Sequence, residues 1–125
     1  MKSRGNLVRL KQFQVNEKRR QLSQLDMMIA EFDRMAAELD AQVAIEERKS
    51  GITDTNHFAY PTFARAARQR RDNLNNSRLD LLQQRGAAEM ALAEAETELA
   101  KAEQLENRDA RVRDAETDLR RAVAG

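Results

Sequence analysis

The amino-acid sequence predicts an all-α fold, an antiparallel two-helix coiled-coil hairpin, and three observations point there. An apolar register with a seven-residue period runs from Val8 to Val43. A second helical pattern follows residue 61. The stretch from Ile52 to Phe63, which joins them, holds the one proline, the one histidine and three of the five aromatic residues.

Composition sets the frame for this reading. Across 125 residues, 41% are hydrophobic, 4% aromatic and 34% charged, so a compact globular core would be hard to fill. Four glycines and one proline leave the chain rich in helix formers. The expectation is one elongated domain over residues 1–125. A formal net charge of +1 gives no global field for nucleic acid or an anionic membrane. The absence of cysteine excludes disulfides and thiolate metal sites and fits a reducing compartment, so the cytoplasm is the default. Charged residues from Lys11 to Arg20 interrupt any apolar leader region, and no run approaches the roughly 20 apolar residues that cross a bilayer.

The first helix is expected over about 3–49. Val8, Val15, Leu22, Ile29, Ala36 and Val43 share one heptad position, and Leu25, Phe32 and Leu39 take its partner position. Lys11 and Lys18 occupy that partner position earlier, so the seam strengthens from Leu22 onward. Arg48 and Lys49 complement the helix C-terminal dipole, and Gly51 suits the left-handed residue after a helix end.

The connection is expected over 50–60. Pro61, which lacks an N–H, suits the first turn of the second helix, expected over about 61–121. There Leu74, Leu81, Ala88, Leu92, Ala95, Leu99 and Ala102 keep 3- and 4-residue multiples, while Leu105, Val112 and Leu119 continue one residue out of register. Asn73, Asn75, Asn76 and Gly86 soften this helix without breaking it, and fraying is expected beyond about Val112. Such helices would each be about 70 to 90 Å long at a rise of about 1.5 Å per residue.

Charge favours the antiparallel arrangement. Residues 1–20 carry seven basic and one acidic side chain, 22–47 one and seven, and 48–73 six and two. Folding back lays Glu38, Asp40, Glu46 and Glu47 beside Arg65, Arg68, Arg70 and Arg71, and the basic amino-terminal segment near Glu94, Glu96, Glu98 and Glu103.

No convergent chemistry is visible. His57 has no second imidazole and no cysteine with which to build a nucleophile–base pair or a transition-metal site, and reads as a turn or cap residue. Acidic pairs such as Glu46–Glu47 and Glu94–Glu96 read as solvated helix charges before metal ligands. No glycine-rich phosphate-binding motif occurs. The chain therefore reads as a non-enzyme with no cofactor, no metal and no small-molecule substrate. The basic amino-terminal segment lacks the interleaved aromatics of a nucleic-acid arm, so a protein surface is the better reading. Met27, Met28 and Met35 read as adaptable core filling or as a soft docking surface. Phe58, Tyr60 and Phe63 either cap the end of the coiled coil or anchor a partner.

Three stretches carry a family resemblance. They are Met1-Lys2-Ser3-Arg4 with Leu7, Arg9-Leu10-Lys11, Phe13-Gln14-Val15 and Glu17 to Arg20; Met27 to Ala30 with Phe32 and Arg34-Met35-Ala36; and Gly51-Ile52-Thr53-Asp54 with His57 to Thr62. Together they resemble the flagellar export protein FliJ family in its alphaproteobacterial form. The resemblance implies an antiparallel coiled coil similar to the central stalk of rotary ATPases, seated in the pore of the hexameric flagellar export ATPase, touching the membrane export gate and escorting unloaded export chaperones. It places the protein at the membrane periphery through protein partners only. Carried onto this chain, it implies ATPase contacts by Arg4, Arg9, Lys11, Arg19 and Arg20, and gate contacts by Phe58, Tyr60 and Phe63. The stalk proteins of virulence secretion systems share the same physics, and a self-associating coiled-coil adaptor is the reading from a different class.

Overall fold

The computed structural model describes the backbone of residues 2–124 and the side chains of residues 4–124. Met1 and Gly125, which the expected single domain includes, lie outside the described residues. Two helices, α1 (Lys2–Ser50) and α2 (Thr62–Ala124), pack against each other antiparallel as a helical hairpin. Helix α1 stops where its last residues predict. Gly51 has φ +71°, and its N–H donates to the Glu47 carbonyl at 2.9 Å, the single bond that closes a left-handed helix end. Pro61 sits one residue earlier than expected, just before α2, where its carbonyl accepts the Arg65 N–H at 3.0 Å. It therefore fixes the entry into the helix from the N-cap position.

The chain forms two compact units, Ser23–Gly86 and a second made of Met1–Leu22 with Ala87–Gly125. In Ser23–Gly86 the predicted α1 seam, Leu25, Ile29, Phe32, Ala36, Leu39 and Val43, is half-buried or buried throughout. Its densest part is Val43 with Tyr60, Ala64 and Ala67, on which Leu39 and Ile52 pack. Two alanines let the α2 backbone approach closely there, so burial comes from the larger α1 residues and the tyrosine ring.

Leu74 and Leu81 continue the α2 side of this seam, but the alternate column, counted in sevens from Ala64, reads Arg71, Arg78 and Arg85. All three arginines are half-buried, and each pairs with an aspartate on α1. Arg71 meets Asp40 at 2.8 Å, Arg78 meets Asp33, and Arg85 meets Asp26. The acids fall by seven as the bases rise by seven, which is the signature of antiparallel helices in one register. Paired charges on a seam add little net stability, because desolvation offsets much of the attraction, yet they penalise every other alignment.

In the second unit Val15 is fully buried and Ala102 nearly so. Val8, Leu22, Ala88, Leu92, Ala95 and Leu99 complete the strip at intermediate burial. Lys11 and Lys18 are half-buried, as their heptad position on the seam predicts. The cross-helix ion pair described here is Arg4–Asp109 at 3.1 Å. The basic amino-terminal segment falls in the same compact unit as Glu94, Glu96, Glu98 and Glu103, as expected, while Glu98 pairs with Lys101 on its own helix.

Helix α2 stays helical to Ala124, where fraying was expected beyond about Val112, and every side chain from Arg111 to Ala124 is exposed. The one-residue register slip has a physical reading here. Leu105 is still half-buried, whereas Val112 and Leu119 lie beyond Asp109, where the N-terminal turns of α1 end. Among the described residues no helix faces these positions, and none there holds them to the old register.

Candidate functional site

The connection is a chain of local hydrogen bonds. Asp54 accepts the Asn56 N–H on its side chain at 2.9 Å and the His57 N–H on its carbonyl at 3.1 Å. His57 then accepts twice, from the Ala59 N–H at Nδ1 (3.0 Å) and from the Tyr60 N–H at its carbonyl (3.0 Å). His57 is thus a turn residue in which Nδ1 serves as an acceptor.

The three loop aromatics part company at this turn. Tyr60 is only 4% exposed, and its hydroxyl donates to Glu47 at 2.8 Å while accepting from Arg68 Nε at 2.8 Å. Arg68 also reaches Glu47 directly at 2.9 Å, and the Arg65 guanidinium lies over the Tyr60 ring at 5.3 Å. The Arg68 hydrogen bond first, and the Tyr60 hydroxyl second, hold the Glu47 carboxyl below its ordinary range. Tyr60 therefore offers a partner little surface and acts as the pin that fastens the turn to both helices.

Phe58 is the reverse case. It is 96% exposed, stacked only on the His57 ring at 4.8 Å between centroids. Phe63, on the first turn of α2, is 57% exposed. A rigid turn that presents two aromatic rings to solvent has the makings of an interface anchor.

The five basic candidates also separate. Arg4 is tied to Asp109, Arg20 to Glu17 at 2.8 Å, and Lys11 lies on the seam. Arg9 and Arg19 are exposed and make no ion pair among the described residues, with Leu10 and Phe13 exposed beside Arg9 on the same helix. Sequence reasoning passed over Phe13 as a surface residue, although its place off the seam positions Val8, Lys11 and Val15 is the signal that marks it.

Of the expected acid–base neighbours, Asp40–Arg71 and Glu47–Arg68 cross between helices, while Glu38 bonds Arg34 and Glu46 approaches Lys49 along α1. Met27, Met28 and Met35 are all exposed, so they border the core without filling it. A shallow groove of about 420 Å³ runs beside Met35, floored by Leu39 and Leu74. Among the described residues no group of three or more His, Asp or Glu side chains is arranged to hold a metal, and no helix is long and apolar enough to cross a membrane. Searches against protein-family models, curated proteins and solved structures found no match to this chain.

Proposed function

We propose that this chain is a non-catalytic, stalk-like component of a bacterial flagellar type III export apparatus, binding the export ATPase ring and the export gate, and escorting export chaperones. The observation that carries the reading is the turn. The stretch from Gly51 to Thr62, which bears much of the family resemblance, holds Phe58 almost fully exposed on a backbone fixed by hydrogen bonds and by the Tyr60 pin. Phe58 and Phe63 are the gate contacts in this reading, and Tyr60 supports them from behind.

Arg9 and Arg19 are the ATPase contacts best placed to meet acidic groups, being exposed and unpaired among the described residues. Arg4, Lys11 and Arg20 contribute once their present neighbours are shared or released. A single hairpin in a six-fold pore touches the subunits unequally, and that asymmetry biases which nucleotide site fills or empties.

The test is ATPase stimulation by the full chain and by an Arg9→Glu/Arg19→Glu variant, with helicity followed by circular dichroism. Loss of stimulation with helicity intact supports the reading. Unchanged stimulation removes the ATPase contacts, and failure of the parent chain to bind or stimulate the export ATPase removes the function.

A further inference from the structure

We propose that the flank of the hairpin bearing Met28, Met35, Phe63 and Arg70 is a self-association surface, on which a second copy of this chain packs about a two-fold axis running along the hairpin. The inference concerns the free protein and does not depend on the export reading.

The two flanks of Ser23–Gly86 are built differently. On one, Asp26, Asp33 and Asp40 meet Arg85, Arg78 and Arg71, and Glu47 meets Arg68, so the cross-helix ion pairs described in this unit all lie on that side. On the other, the α1 column reads Met28, Met35, Gln42 and the α2 column Phe63, Arg70, Ser77. Met28, Met35 and Phe63 are 47%, 36% and 57% exposed on this flank. The groove between the columns opens its leucine floor to the same side.

Charge identifies the occupant. Arg70 lines the groove and makes no ion pair among the described residues, and Glu38 lines it from the opposite helix. One Glu38 oxygen takes Arg34 at 2.8 Å, leaving the other to accept. A two-fold axis along the hairpin lays α1 of one copy over α2 of its partner. Residues that face each other across the groove within one copy then also meet across the interface. Glu38 of each copy comes opposite Arg70 of the other, closing two symmetric ion pairs around Met35, whose unbranched side chain adapts to the shared groove. A head-to-tail two-fold would instead lay α1 over α1 and lose both pairs.

The experiment is sedimentation equilibrium of the full chain from micromolar to near-millimolar concentration. The expected result is a reversible monomer–dimer equilibrium. Arg70→Glu sets carboxylate against carboxylate twice and weakens the dimer by about tenfold, on the scale of two exposed pairs. Glu38→Arg/Arg70→Glu restores it, and Met35→Arg abolishes it, each variant keeping the parent's helical circular dichroism. A monomer at every concentration overturns the proposal, as does an Arg70→Glu variant that associates like the parent or a double variant no better than the single. Under any of those results the Met35 groove is left to a different protein.

Discussion

Reversing the three aspartates that face the seam arginines, as Asp26→Arg/Asp33→Arg/Asp40→Arg, should open Ser23–Gly86. In the parent these carboxylates are 49%, 52% and 54% exposed and the arginines 34%, 35% and 25%. At that exposure each pair contributes roughly 0.5–1 kcal/mol, so the three together contribute about 1.5–3 kcal/mol. Putting arginine opposite arginine adds repulsion of about the same size, for a total near 3–6 kcal/mol, a large part of what a small domain has. No shift by a heptad relieves it, because every acid of the set has been reversed. The assay is thermal unfolding by circular dichroism, where the expected fall in Tm is at least about 12 °C. Adding Arg71→Asp/Arg78→Asp/Arg85→Asp should return the melt to within about 5 °C of the parent. A triple reversal that melts within about 3 °C of the parent would refute the claim that these pairs set the register.

Gly51→Ala should cost about 1 kcal/mol in the same melt, from backbone strain alone, since φ is +71° and nothing lies within 4 Å of the added methyl; a neutral result would show that the turn relaxes freely. Phe58→Ser should leave Tm within about 1 °C of the parent, because a ring 96% exposed stabilises little, and under the proposed function it should abolish export-gate binding. Glu47 gives a pH limb. Its carboxyl titrates lower in the folded chain than in the unfolded one, so its contribution is complete above the ordinary value of 4.5 and disappears as pH falls through the folded pKa. Glu47→Gln should flatten the acid side of the stability profile, and an unchanged profile would mean that the carboxylate is not the group being titrated. Val15→Ala, at the one large side chain buried completely among the described residues, should cost about 2 kcal/mol, measured as protection lost from the backbone amides of residues 8–22 in hydrogen exchange.

The hairpin was legible because its signals are local or periodic. Arg48 to Gly51 mark a helix end by chemistry that acts over four residues, and the α1 heptads from Val8 to Val43 repeat often enough to outvote the lysines at 11 and 18. The ion-pair ladder was half legible. Asp40 and Glu47 were laid beside the group of arginines that includes their partners, but Asp26 and Asp33 were not placed, because arginine read as surface whenever the seam was counted in leucines and alanines. Counting acids on one helix and bases on the other for a common period of seven would have found all three. At the turn, the composition of residues 50–60 located the connection but could not sort its rings. Tyr60 and Phe58 are two residues apart, and only the Glu47 and Arg68 side chains, distant in sequence, turn the first inward. The unused cations Arg9 and Arg19 were equally hidden, since their freedom depends on where Asp109 and Glu17 take Arg4 and Arg20.

A ladder that steps by seven on both helices also restricts how the gene can change length. Deleting residues 34–40 from α1 alone would slide Asp33 to the level of Arg71 and Asp26 to that of Arg78, with no acid left to meet the third arginine. Trimming a heptad from each arm at the same level keeps every remaining partner in step. Insertions and deletions in this part of the chain should therefore survive as matched pairs, seven codons on either side of the turn, and single ones should be confined to the stretch past residue 110, where every described side chain is exposed.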